Sequence, residues 1–215
     1  MGKAMKGFPG GAPVNYAQFR GKIQNGDLLL CAGSSWFSRM IQRATNSVWS
    51  HVGFVMRLNK IDRIMVLESV ESQGVRTVPL SKYLNDYDNK GNPYPGGLVI
   101  ARHADFAKPC VQNRLKQFGQ FAVDLLGYPY DKDEIAKIAA RIVASYPFSA
   151  KEKKALKPDR EYICSEYVWE CYKALNIKIR HDPRGFIAPA DFARAKKVAL
   201  QAVLRSGLKN IGAAG

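Results

Sequence analysis

The sequence predicts an α+β fold with an antiparallel sheet, because β-rich segments fill the first half of the chain and helical segments fill the second. Five runs rich in β-branched and apolar residues lie between residues 27 and 103, whereas apolar residues recur at helical spacing from residue 111 onward. The length of 215 residues fits one domain of ordinary size. Hydrophobic residues make up 47% and charged residues 24% of the chain, which excludes wholesale disorder and fibrous repeats.

The predicted strands are short and are separated by turn-forming residues. They comprise residues 27–31, 50–58, 61–70, 74–80 and 97–103. The second and third of them flank Asn59-Lys60, which predicts an antiparallel hairpin. Residues 84–97 are rich in Asn, Asp, Gly and Pro, and this composition predicts a loop.

The predicted helices rest on apolar spacing and on capping residues. Ser34 or Ser35 can cap a helix that continues to about Ala44. Further helices are predicted at about residues 111–126, 134–144, 164–175 and 189–208. The last of these carries basic side chains beside apolar ones, and the basic residues of the chain beyond Ala188 are Arg194, Lys196, Lys197, Arg205 and Lys209. Such a helix either docks on an anionic membrane or polymer, or packs its apolar face on the rest of the protein, or does both.

The charge balance is strongly basic. The chain carries 33 Lys and Arg against 18 Asp and Glu, a formal net charge of +15. This excess either attracts polyanions such as anionic membranes, acidic cell-wall polymers or nucleic acid, or simply forms a solvated basic surface. Nucleic acid is the less favoured partner, because basic residues are not interleaved with aromatic ones as single-strand binding requires.

Targeting and metal-binding patterns are lacking in the sequence. No apolar run reaches the roughly 18 residues of a spanning helix, and the N-terminal residues lack the apolar segment of a secretory signal. We therefore expect a cytoplasmic protein that can associate with a membrane surface. The four cysteines include no CxxC pair and are accompanied by only three histidines, so we expect neither a metal site nor a cofactor. Those cysteines are Cys31, Cys110, Cys164 and Cys171.

Cys164 stands out among the cysteines, because it begins a predicted helix just after a polar, proline-containing segment. The unpaired N–H groups and the positive end of the helix dipole favour the reactive thiolate form of a thiol at this position. The same N–H groups can stabilise an oxyanion on an acyl substrate. Cys171 lies further along the same helix, on the face of Val168 and Leu175, and is interpreted as a core residue.

His51 and Glu68 form a second candidate pair. A turn centred on Asn59-Lys60 places them directly opposite each other on neighbouring strands, where their side chains can form a hydrogen bond. Glu68 would then orient the imidazole, as the third member of a catalytic triad does. A slip of one residue in the pairing would put the two side chains on opposite faces of the sheet.

The order of these residues resembles that of circularly permuted papain-like proteins of the NlpC/P60 superfamily, in the branch typified by the bacterial YiiX/YebB-like proteins. The similarity covers about residues 26–176. The matching segments are Gly26-Asp27-Leu28-Leu29, Ser50-His51-Val52-Gly53, Leu67-Glu68-Ser69, Gly74-Val75, Gly127-Tyr128-Pro129-Tyr130-Asp131 and Tyr162-Ile163-Cys164-Ser165-Glu166.

This resemblance implies a cysteine peptidase, amidase or acyltransferase that acts on an amide or ester through a thioester, with cell-wall peptides and lipids as known substrate classes. It assigns the nucleophile to Cys164, the general base to His51 and the orienting group to Glu68. It also implies an antiparallel sheet or small barrel packed against helices. We expect an N-terminal arm at residues 1–25, a catalytic domain at 26–188 and a basic helical tail at 189–215.

Three further residues, Tyr130, Asp131 and Tyr167, are candidates for contact with substrate. The Gly-Tyr-Pro-Tyr segment that contains Tyr130 is equally consistent with a turn that packs two aromatic rings. Two other functions remain open: a non-catalytic ligand-binding module on the same scaffold, and a basic protein that binds membrane or nucleic-acid surfaces.

Overall fold

Six strands form one open antiparallel sheet in the computed structural model, which describes residue 5 and residues 7–130, 163–180 and 186–206. The strands are β1 (Leu28–Gly33), β2 (His51–Leu58), β3 (Arg63–Val70), β4 (Gly74–Pro79), β5 (Gly96–His103) and β6 (Val198–Arg205). Their order across the sheet is β4-β3-β2-β1-β5-β6. The predicted α+β fold is confirmed, and the sheet is open rather than closed into a barrel.

The helices of the described residues follow most of the predicted segments. They are α1 (Tyr16–Phe19), α2 (Trp36–Thr45), α3 (Leu80–Asn85), α4 (Pro109–Gln112), α5 (Leu115–Asp124), α6 (Cys164–Ala174) and α7 (Pro189–Arg194). Ser35 caps α2 as expected, since its hydroxyl accepts a hydrogen bond from the Ser38 N–H at 3.1 Å. The helix predicted at residues 134–144 lies outside the described residues. Within the described part of the chain, no helix is both long and apolar enough to cross a bilayer.

The sheet is buried on both faces, which explains the unbroken apolar run of β1. Leu28 and Leu30 face a core built with α5, α6 and α7, whereas Leu29 and Cys31 face a second core on the side of α3. All four side chains are fully buried. Because neighbouring residues of a strand point to opposite faces, a strand covered on both sides needs apolar residues at every position.

The β2–β3 hairpin differs from its predicted register by two residues. Four residues, 59–62, separate the paired Leu58 and Arg63, rather than the two residues expected. The extra residues include the 3₁₀ turn Asn59–Ile61. His51 and Glu68 are therefore diagonal neighbours instead of direct partners. The side-chain period of a strand is two, so this even shift leaves both side chains on the same face.

The prediction of a basic helical tail at residues 189–215 is wrong for residues 189–206, the part that the structure describes. Helix α7 ends at Arg194, and the following residues form β6, which pairs with β5 from His103↔Val198 to Leu98↔Arg205. Strand β6 belongs to the sheet, so a domain boundary at residue 189 does not hold. The basic side chains named above therefore do not share one helical face, and Lys209 lies outside the described residues.

Candidate active site

The starts of β2 and α6 meet at a cleft of about 180 Å³. His51, at the first position of β2, and Cys164, at the first position of α6, both line it. Most of the remaining lining is polar or aromatic and includes Ser34, Ser35, Ser50, Ser69, Tyr87 and Tyr94. The cleft thus brings the predicted thiol and imidazole to one site.

The first turn of α6 holds Cys164 against the sheet. Its preceding residue, Ile163, is extended (φ −74°, ψ 160°), and the Ile163 N–H donates to the Glu166 carboxylate at 3.3 Å. One turn into the helix, the Tyr167 ring packs on Phe54 of β2 with 5.8 Å between centroids. The first N–H groups of a helix have no carbonyl acceptor within it, so the Cys164 N–H, at the first position of α6, can donate to a substrate oxygen.

His51 is joined to Glu68 across the β2–β3 hairpin. The His51 Nε2 atom lies 2.6 Å from Glu68 Oε2. The register of the hairpin brings Gly53 opposite Glu68, and a Cβ atom at Gly53 would come within 3.2 Å of the Glu68 Cβ and 3.0 Å of the Leu67 carbonyl oxygen. A glycine at this position therefore leaves the space in which Glu68 reaches diagonally to His51.

Glu68 is fully buried, and both of its carboxylate oxygens are engaged. Oε1 accepts a hydrogen bond from Arg76 Nε at 2.9 Å, and Oε2 accepts one from the Tyr83 hydroxyl in addition to its contact with His51. Burial by itself would raise the pKa of Glu68, but the hydrogen bond and charge of His51 and the charge of Arg76 outweigh it and lower that pKa. Glu68 is thus an ionised carboxylate in the interior.

The charge state of His51 follows from its two neighbours. Burial disfavours the imidazolium, but hydrogen bonds to Cys164 and Glu68 outweigh it and raise the pKa of His51 to about 10. Because Nε2 faces Glu68, the nitrogen that remains for the thiol is Nδ1. At neutral pH the ring is therefore an imidazolium held between a carboxylate and a sulfur atom.

The other three cysteines have different environments. Cys31 and Cys171 are fully buried, and burial raises the pKa of both thiols well above the usual value. Cys110 is exposed on α4. Of the four cysteines, only Cys164 lines the cleft that contains His51.

The three candidate substrate contacts have different outcomes. Tyr130 lines the cleft together with Cys164. Tyr167 is fully buried and its hydroxyl donates to the Ala122 carbonyl at 2.8 Å, so the expected contact with substrate is replaced by a role in the core. Asp131 lies outside the described residues.

The backbone that carries Tyr130 is fixed by the start of β4. The Val75 N–H donates to the Tyr128 carbonyl at 2.8 Å, and the Gly127 N–H donates to the Val75 carbonyl at 2.9 Å. Gly74 has a φ of +67°, and a Cβ atom there would lie 2.0 Å from the Tyr128 oxygen. Two of the sequence segments noted above, Gly74-Val75 and residues 127–130, therefore form one structural unit.

Two residues of the site, Arg76 and Tyr83, were not predicted from the sequence. Arg76 lies directly opposite Glu68 in the β3–β4 pairing. A positive and a negative side chain at opposite positions of neighbouring strands would have predicted this contact from the sequence. Tyr83 lies on α3, a short helix that follows Pro79, in a region without a clear periodic pattern. Its approach to Glu68 comes from the packing of α3 on the sheet.

A comparison with known protein families matches most of the chain to one family model. Residues 22–186 match the model of the permuted papain-like amidase enzymes, the YaeF/YiiX or C92 family. The chain belongs to this family. It is accordingly an enzyme of the papain-like cysteine hydrolase type, and the resemblance noted in the sequence is confirmed.

A solved structure shares the fold. The crystal structure of metalloprotein YiiX from Escherichia coli O157:H7 aligns with a TM-score of 0.57 and 22% sequence identity, and the alignment covers 84% of this chain and 97% of that one. A comparison with curated proteins gives no match. YiiX is described as a metalloprotein, but the described residues of the present chain contain no group of three or more His, Cys, Asp and Glu side chains that could hold a metal ion.

Proposed function

We propose that this member of the amidase family cleaves an amide bond of a peptide-type substrate with Cys164 as nucleophile, His51 as general acid and base, and Glu68 as the group that orients His51. The observation that carries the proposal is the His51 ring, which has Glu68 at 2.6 Å from its Nε2 atom and lines the same cleft as Cys164. Nucleophile, base and orienting group in this arrangement are the parts required for covalent acyl transfer.

The first half of the reaction forms a thioester. The thiol proton of Cys164 passes to His51, where Glu68 stabilises the resulting imidazolium. The sulfur attacks the carbonyl carbon, and an S–C bond forms as the carbonyl electron pair moves to oxygen. The N–H groups of the first turn of α6 donate to that oxyanion. The C–N bond then breaks, and the proton on His51 passes to the departing amine.

The second half regenerates the enzyme. A water molecule attacks the thioester carbonyl and gives a proton to His51, which is neutral after it has protonated the amine. The S–C bond breaks, and the carboxylic acid product leaves. The sulfur and the imidazolium then stand as they did at the start, so no other reactant is consumed.

Mass spectrometry of the enzyme mixed with p-nitrophenyl acetate and quenched in acid tests the proposal. We expect an acetyl adduct on the peptide that contains Cys164, together with release of p-nitrophenol. Cys164→Ala and His51→Ala should lower the catalysed rate by at least about 10³-fold, as removal of a triad member does elsewhere. Cys110→Ser, which changes an exposed thiol outside the cleft, is the matched control and should retain the wild-type rate. Unchanged hydrolysis in Cys164→Ala would contradict the proposal. A wild-type protein that releases p-nitrophenol no faster than buffer alone would also contradict it and would favour a non-catalytic binding module.

A further inference from the structure

A second, apolar pocket adjoins the cleft at the candidate nucleophile. It has a volume of about 30 Å³ and shares Cys164 and Tyr130 with the cleft. Most of its other lining side chains are apolar and come from α2 and from the segment before α7. They include Met40, Ile41, Ala44, Phe186, Ile187 and Ala188. We call this cavity the apolar pocket.

The walls of the apolar pocket are tied to each other and to the catalytic helix. The Ser165 hydroxyl, next to Cys164, donates to the Ile187 carbonyl at 2.8 Å. Arg194 of α7 donates to the Thr45 carbonyl at 2.8 Å and to the Asn46 carbonyl at 2.9 Å, which joins α7 to the C-terminal end of α2. Because the last carbonyls of a helix lack partners within it, Arg194 satisfies groups that would otherwise need water. The pocket is therefore part of the folded framework.

The chemistry of the proposed reaction determines which part of the substrate lies on each side of Cys164. His51 has to give its proton to the departing amine, so the leaving group must lie on the His51 side of the sulfur. That side is the cleft with its serine and tyrosine side chains. The acyl group remains bonded to the sulfur and needs a separate space. The apolar pocket offers one, because it is lined by Cys164 but not by His51.

We infer that the apolar pocket binds a short apolar group attached to the scissile carbonyl, and that Met40 and Ala44 of α2 set its length. This inference rests on the proposed function and adds the acyl-side specificity. A cavity of about 150 Å³ holds a benzene molecule, and one water needs roughly 10–15 Å³. A volume of about 30 Å³ therefore suits a group of one to three carbons, such as an alanyl side chain or a short acyl chain, and excludes a ring.

A series of p-nitrophenyl esters tests the inference, because the leaving group stays constant while the acyl chain grows from acetate to butyrate to hexanoate. We expect the wild-type protein to have its highest kcat/KM with the short chains. Met40→Ala enlarges the pocket and should raise the hexanoate-to-acetate ratio of kcat/KM by about tenfold, as expected for burying about two further methylene groups. Ala44→Val narrows the pocket and should lower the butyrate-to-acetate ratio.

Arg43→Ala is the matched control, because Arg43 is exposed on the same helix and does not line the pocket. Met40 and Ala44 are only partly buried, so both variants should fold, and thermal melting checks this. An identical chain-length profile in the wild type and all three variants would overturn the inference and leave the proposed function intact, provided that the acetyl adduct still forms on Cys164. Absence of that adduct in the wild type would overturn the proposed function and this inference with it.

Discussion

Replacing Glu68 by Gln tests how the site keeps His51 charged. The substitution preserves the size of the side chain but removes its negative charge. It also replaces one acceptor oxygen by an NH₂ group, which must then face either Arg76 on one side or His51 and Tyr83 on the other. All of these partners donate hydrogen bonds to the carboxylate, so the amide loses at least one contact whichever way it turns.

The expected effect on His51 follows from the value of a charged hydrogen bond. Such a bond contributes about 1.5–3 kcal/mol, and one pKa unit corresponds to about 1.4 kcal/mol. Loss of the anion destabilises the imidazolium, so the pKa of His51 should fall from about 10 by about one to two units. The alkaline limb of kcat/KM should move to lower pH by the same amount, while some activity remains because the amide oxygen can still hold the ring.

The shifted pKa values of His51 and Glu68 also make the stability of the folded protein depend on pH. The pKa of His51 is raised above its usual 6.5, so its contribution to stability is complete below pH 6.5 and is lost as the pH rises through about 10. The pKa of Glu68 is lowered from 4.5, so its contribution is present above pH 4.5 and is lost as the pH falls further. At pH 7 both contributions are present. Glu68→Gln should therefore lower the free energy of unfolding there by about 3–5 kcal/mol, the usual cost of breaking a buried ion pair.

An NMR titration of the histidine rings measures the first effect directly, because the chain has only three histidines and His51→Ala assigns the signal. Asp27→Asn is the matched control. Asp27 is fully buried and accepts hydrogen bonds from Arg102 at 2.6 and 2.8 Å. It lies just before the first residue of β1, whereas His51 pairs with Cys31 further along that strand. The Asp27→Asn variant should have a lower free energy of unfolding but an unchanged pKa of His51. The same titration midpoint for His51 in Glu68→Gln and in the wild type would refute the reasoning.

Two further predictions concern the thiol and the sheet edge. In a Cys110→Ser background, iodoacetamide at pH 6 should label Cys164 alone, because only this thiol lines the cleft, and His51→Ala should suppress that labelling. Peptide mapping measures the labelling, and labelling of Cys31 or Cys171 in the folded protein would contradict the prediction. Phe192→Ala should lower the free energy of unfolding by about 3–5 kcal/mol in a urea titration, because Phe192 is fully buried in α7 beneath the sheet. A loss below about 1 kcal/mol would show that α7 is an appendage of the domain.

The strands of the β2–β3 hairpin and the position of Cys164 at the start of a helix could both be predicted from the sequence. Alternating apolar residues and the Ser35 cap are local signals, and local signals predict elements that tertiary packing then retains. The proximity of His51 and Glu68 was predicted from an incorrect register, and it survived because the error was an even number of residues. A one-residue error would have lost the pair.

The edge strand β6 could not be predicted from its own residues. The segment Val-Ala-Leu-Gln-Ala-Val-Leu-Arg has good helix formers and apolar residues at helical spacing, so its intrinsic preference is for a helix. The segment nevertheless forms a strand, because it pairs with the N–H and C=O groups of β5 that would otherwise lie unpaired at the edge of the sheet. The Val14 N–H, from the segment expected to be a loose arm, donates in turn to the Val203 carbonyl at 2.8 Å. Long-range pairing therefore outweighs local propensity at both ends of the chain.

The apolar pocket shows why specificity is harder to predict from sequence than catalysis. Cys164, His51 and Glu68 are chemically distinctive and lie next to recognisable turns, so each can be proposed on its own. The pocket has no distinctive residue: it exists because α2, the first turn of α6 and the segment before α7 converge, and because Arg194 joins the last of these to the first. The sequence indicated only that Arg194 is one of several charges in a basic tail. In the structure, its hydrogen bonds to the Thr45 and Asn46 carbonyls hold α7 against the end of α2 and so fix the wall of the pocket. A substitution on α2 such as Met40→Ala should therefore alter which acyl groups fit while Cys164, His51 and Glu68 stay unchanged.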